Sequence, residues 1–325
     1  SDSKKCSFNL GERDNITFTY DQETLALYGD DILTVSKEDF DPAAHSHAVC
    51  KGAEVCPEDV HIGHVIEKWT EWNDPNAMPE ESGNYFLTTD VIFNGHWIPA
   101  DGTSLCLNGH TVSAKEDIIT YGGIVYVNPK TTFNLCDCTG GGKICGSNAQ
   151  FLGGGVTNRG TFNMYSGEIS GNMTPSYGGG VFCDANSLFR MCGGEISGND
   201  AHVGGGISIY EGTFYLYGGK IAENESTDEI VGGGGLHIGS KAKCYFYGGE
   251  ITNNRYGGNI TEFSKEVSGG VYVLYSSEST VIGGNVVIKD NINDNNYSNL
   301  YLPKGITVTL DPSNPLRENA YIGVI

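Results

Sequence analysis

The chain has 325 residues, 40 acidic against 19 basic, for a net charge of −21. A surface this negative repels phosphate backbones and anionic lipid, which excludes nucleic acid as a partner, and no apolar stretch reaches the roughly 18–20 residues that cross a bilayer as a helix. Glycine is the outlier at 47 residues, about twice its usual share, yet no G-X-Y period appears and 38 % hydrophobic residues supply ample core, so collagen and disorder are excluded too.

The first 80 residues carry no repeat. SDSKKCSFNL has charge but no apolar signal-peptide core, so an exported form would be a processed one. The segment from Cys6 to Ser36 predicts two or three short strands, with turns at Gly11 to Asp14 and Gly29 to Asp31. A cluster rich in His and Cys follows. His45, His47, Cys50, Cys56, His61 and His64 offer more nitrogen and sulfur donors than the four that tetrahedral zinc takes. We take His47, Cys50, Cys56, His61 and His64 as candidate ligands of a structural zinc. The C-x5-C spacing is wider than in common zinc modules, and a Cys50–Cys56 disulfide with solvated histidines is the alternative. Trp69, Trp72 and Trp97 are expected to pack where this cap meets the first coil.

From about residue 81 a repeat takes over. GTFNMYSGEISGN (160–172), SLFRMCGGEISGN (187–199), GTFYLYGGKIAEN (212–224) and AKCYFYGGEITNN (242–254) align, each preceded by a glycine run and a β-rich segment. Weaker relatives lie at 132–148 and 279–291. Phe162 and Met164, Phe189 and Met191, and Phe214 and Leu216 alternate at period two, as strands with one buried face do. A glycine corner leads to a second short strand centred on Ile169, Ile196, Ile221 or Ile251, and a further corner to a third. Units of 24–29 residues that cannot bury their own face must stack, which predicts a parallel β-solenoid of about eight coils. Asn172, Asn199, Asn224 and Asn254 recur at one corner, with Asn148 and Asn291 as extensions, and predict an amide ladder along the stack. The expected division is 1–80, β-module and cap, then 81–325, solenoid. The even cysteine count leaves disulfides and buried thiols both open for the seven from Cys106 onward.

The segments GNYFLTTDV, LCLNGHTV, GTFNMYSGEISGN with its GGGV, and NLYLPKGITVTL…AYIGV resemble the pectate-lyase-like β-helix repeat regions of secreted or wall-attached proteins of anaerobic Gram-positive bacteria. The resemblance covers roughly 82–325. It implies an all-β fold, a right-handed single-stranded parallel β-helix with a small N-terminal cap module, and an extracellular or cell-surface location, as a monomeric part of a larger protein. The calcium-binding aspartates and paired arginines of pectate lyases have no counterpart here, nor has the Asn-Thr-Asp, Asp-Asp and Gly-His-Gly set of polygalacturonases. Few basic residues also argue against polyuronate substrates.

Two residue sets carry functional expectations. Tyr165, Tyr217 and Tyr247 share one register beside the inward Met164, Leu216 and Phe246, so period two sends them outward as a ribbon for neutral sugars, whose CH faces stack on aromatic rings. A ring stack that only stabilises the rod is the alternative. Glu168 and Glu195 fall on successive coils, about 5 Å apart at the backbone, close to the carboxylate spacing of a retaining glycosidase. With Lys220 and Glu250 in the same column, a solvated charge ladder competes with the catalytic reading. The expected function is adhesion or neutral-glycan binding, with a carbohydrate or host surface protein as partner. The alternatives are a glycoside hydrolase and a structural spacer.

Overall fold

Phe162 and Met164 are fully buried while Asn163 between them faces the other side of its strand, as period two requires. The same alternation repeats along the chain and makes a parallel β-solenoid, with no helix among the described residues, consistent with the pectate-lyase-like β-helix fold. The computed structural model describes residues 7–9, 15–17, 69–115, 119–120, 122–259, 267–293 and 296–324. The chain divides into two compact units, Ser1–Pro42 and Ala43–Ile325. In the first, Ser7–Asn9 pairs antiparallel with Asn15–Thr17. The candidate zinc ligands His47, Cys50, Cys56, His61 and His64 lie outside the described residues.

The second unit stacks four parallel sheets around one core. Its seven full turns are coil 1 (103–127), coil 2 (132–158), coil 3 (161–183), coil 4 (188–209), coil 5 (213–238), coil 6 (243–273) and coil 7 (279–301). In coil 4, for example, Leu188–Met191 belongs to the first sheet, Glu195–Ser197 to the second, Asp200–Val203 to the third and Ile207–Ile209 to the fourth. Among the described residues seven full turns stand where about eight were expected, and the segments beyond them, Thr70 to Phe93 and Thr309 to Ile322, add only partial coils. Each turn has four strands, not three. In coils 1, 2, 5, 6 and 7 the third-sheet strand is only two residues long, as in Glu225–Ser226, too short to show a period. Parallel pairing already includes Thr70–Trp72, which pairs with Asn84–Leu87.

Inward columns fill the core. Phe133, Phe162, Phe189 and Phe214 stack in sequence at 5.6, 4.9 and 5.1 Å, and Trp97 closes the row edge-on to Phe133 at 5.3 Å. Ile144, Ile169, Ile196, Ile221, Ile251 and Ile288 run through the second sheet, all at 0 % exposure. The seven cysteines from Cys106 onward form no disulfide. Cys183 belongs to the core, where burial pushes its thiol up to about 12.

The amide ladder is continuous from Asn172 through Asn199, Asn224, Asn254 and Asn291 to Asn299. Each Nδ2 donates to the next Oδ1, at 3.1, 3.0, 2.9, 2.8 and 3.1 Å. The same oxygens accept the backbone N–H of the preceding asparagine at 2.9–3.0 Å. Asn148 stays outside the ladder: it pairs with Met173 in the third sheet, and Ser147 takes the ladder position, its N–H donating to Asn172 Oδ1.

Candidate functional site

The corner between the first and second sheets gathers both residue sets. Tyr165, Cys192, Tyr217 and Tyr247 begin this corner on coils 3 to 6, each N–H bonded to the coil before, at Leu135, Met164, Met191 and Leu216. Glycines follow because the corners nest closely. At Gly194 φ is +81°, and an added Cβ would come 2.6 Å from the carbonyl of Gly167. Coil 2 departs from this plan, since four extra residues bulge between Asp137 and Lys143.

That bulge makes one wall of an open groove of about 450 Å³, lined by Asp137, the loop 138–142, Ser166, Glu168, Gly194 and Glu195. Asp137 holds the bulge in place. Its Oδ2 accepts the N–H of Gly142 at 2.7 Å and its Oδ1 that of Gly109 at 2.8 Å. This carboxylate is 8 % exposed and occupied with backbone, so it shapes the groove and leaves ligand contact to other groups.

Glu168 and Glu195 are register partners on the groove floor, both half-buried. The column continues on both sides: Lys143 pairs with Glu168, and Lys220 with Glu195 and then with Glu250. Lys220 Nζ lies 3.2 Å from Glu195 Oε1. Each glutamate therefore has a lysine as neighbour along the ladder. Lys143 was hidden in the sequence because the bulge shifts it out of alignment.

The three tyrosines of the expected ribbon part ways. Tyr165 lies outside the barrel but is 3 % exposed, packed in a second apolar cluster with Trp69, Phe86, Cys106, Cys136 and Cys192. It presents no face to solvent. Tyr217 and Tyr247 are half-buried and join Tyr215 and Tyr245 from the neighbouring outward column. Tyr215 stacks on Tyr245 at 4.5 Å and on Tyr217 at 5.6 Å, within 10° of parallel. Tyr247 tilts by 30° to Tyr217 and by 37° to Tyr245. Burial, with the Asp311 carboxylate as second cause, holds its hydroxyl above the ordinary phenol range. The result is a two-by-two tyrosine grid on coils 5 and 6. Period two placed Tyr215 and Tyr245 on the same side as Tyr217, but the sequence carried no sign that they stack.

Before the grid, the outward column of the first sheet is polar. Asn134 donates to Ser104 at 3.2 Å, Asn163 to Asn134 at 2.9 Å, and Arg190 to Asn163 at 3.5 Å. Among the described residues no group of three or more His, Cys, Asp or Glu side chains is placed to hold a metal. Comparisons with family models, with curated proteins and with solved structures return no match.

Proposed function

We propose that this protein is a cell-surface adhesion module that binds a neutral glycan along the corner between its first two sheets. The observation that carries this reading is that groove and tyrosine grid occupy one corner on consecutive coils. Gly194 and Glu195 on coil 4 end the groove, and Tyr217 begins the same corner one coil on, about 4.8 Å along the rod. Glycan hydroxyls would donate to Glu168 and Glu195, and a sugar CH face would rest on Tyr247 or Tyr217. Half-buried rings already held by neighbours lose little freedom on binding, which favours affinity. Lysines beside the glutamates temper the acidity of the track, consistent with an uncharged ligand.

A neutral-glycan array tests the reading, followed by Tyr217→Ala/Tyr247→Ala and Glu168→Gln/Glu195→Gln on any hit. Each double variant should weaken binding at least tenfold, about 1.4 kcal/mol, while the glutamine pair leaves thermal stability nearly unchanged. A confirmed glycan ligand that binds both double variants as tightly as the parent protein refutes the site.

The register pairing of Glu168 with Glu195 also favours a second reading, a retaining glycoside hydrolase, since adjacent strands lie near the 5–5.5 Å that such a carboxylate pair spans. The ion pair of Glu195 with Lys220 speaks for binding over hydrolysis. Shorter sugar products from an array hit, lost in Glu195→Gln, would instead establish hydrolysis.

A further inference from the structure

Three thiols meet where the groove wall joins coil 1. Cys106 and Cys136 are register partners on the outer side of the first sheet, 0 % and 2 % exposed. Cys138 is exposed, opens the bulged loop and lines the groove. Its thiol donates to Asn108 Oδ1 at 3.4 Å, and Asn108 is itself anchored by Nδ2 on the carbonyl of Leu87 at 2.9 Å. The loop is thus turned back onto coil 1, two residues from Cys106. Cys136 and Cys138 are the two side chains that act most strongly on the Cys106 thiol.

Backbone geometry selects the pair. In-register neighbours on parallel strands keep their side chains about 4.8 Å apart, whereas a disulfide draws its Cβ atoms to about 3.8 Å. The ladder therefore holds Cys106 and Cys136 apart. Cys138 lies past the end of its strand, followed by Gly140 and Gly141, where an added Cβ would meet nothing within 4 Å. That loop has room to close the remaining distance.

We propose that Cys106 and Cys138 are a redox-responsive dithiol whose disulfide ties the groove wall to coil 1. A low-molecular-weight disulfide is the oxidant. The Cys138 thiolate attacks one of its sulfurs, forming a mixed disulfide and expelling a small thiolate. Cys106 then loses its proton and attacks the Cys138 sulfur, forming the intramolecular bond and expelling the second small thiolate. The two cysteine protons end on the two small thiols, so the oxidant is fully reduced. The neighbouring Cys136 thiol, with burial added and Cys138 opposing, holds Cys106 well above the ordinary thiol range, which makes the second step the slow one and faster at higher pH.

The full chain, incubated with glutathione disulfide, should yield a peptide joining Cys106 to Cys138 with the loss of two hydrogens, reversed by dithiothreitol. Cys136→Ser should retain this link and Cys138→Ser should abolish it. A glutathione adduct that persists on Cys138 without resolving, an unmodified Cys138, or a link from Cys106 to Cys136 overturns the proposal. Mass alone decides these outcomes, so they stand apart from the glycan reading.

Discussion

His237 is the most heavily perturbed imidazole among the described residues. It faces outward from the fourth sheet yet is 3 % exposed, between Tyr177 at 6.3 Å and Tyr272, stacked on it at 6.0 Å. Nδ1 meets Ser208 Oγ at 3.1 Å, and Nε2 has no hydrogen-bond partner among the described residues. Burial lowers its pKa from 6.5 to about 4, with Asp228 opposing weakly. Unfolded chains therefore take up a proton between pH 6.5 and 4 that the folded protein refuses. The neutral ring's full contribution is present above pH 6.5 and is lost as pH falls towards 4, about 3 kcal/mol in all. Phe182 occupies the same column two coils earlier, so His237→Phe should fit. The variant should lose less unfolding free energy than the parent between pH 7 and pH 4.5 in denaturant titrations. Parallel losses would show that His237 is not the acid-sensitive group. Nothing in GGGLHIG announces this environment, because whether an outward strand residue is covered depends on side chains from other coils, here Tyr177 and Tyr272.

At the scale of the element, legibility followed repetition. The asparagine ladder could be read because one residue type recurs at one offset, and it extends to Asn291 because that corner keeps the offset. It stops before Asn148 because the ladder position, three residues after Ile144, is Ser147, and Asn148 falls one residue later. Tyrosine positions were equally visible, but burial of Tyr165 was not, since its cover comes from residues remote in sequence such as Trp69. The ladder gives a sharp test. Asn224 donates to Ile196 O and Asn254 Oδ1, and accepts from the backbone and side chain of Asn199. Asn224→Leu would leave several buried groups unpaired, each costing about 1–3 kcal/mol. The melting temperature should fall far more than for Ser197→Ala, a half-buried change one coil away. Similar melting temperatures for the two variants would show that the ladder is dispensable.

Across the whole molecule, the repeat, its glycine corners and period two predicted the fold, whereas the site depended on exceptions to the repeat. The groove exists because coil 2 breaks the pattern, and the grid because coils 5 and 6 carry tyrosine where coil 4 has Arg190 and Cys192. A β-dominated fold in which every turn supports its neighbours should not survive a charge at its centre. Ile196→Asp places an unpaired carboxylate among side chains at 0 % exposure, at a cost of several kcal/mol. Circular dichroism of this variant should lose the strand signal. A native spectrum and melting curve would contradict the core described for coil 4.

Within each sheet a strand pairs with the coil before and the coil after. A closed barrel must contain the right number of strands or it cannot shut. This stack has no such condition, so no residue in it measures how long it is. Its length is a matter of the gene's arithmetic alone, and the positions of groove and grid along the axis are as adjustable as beads on a string.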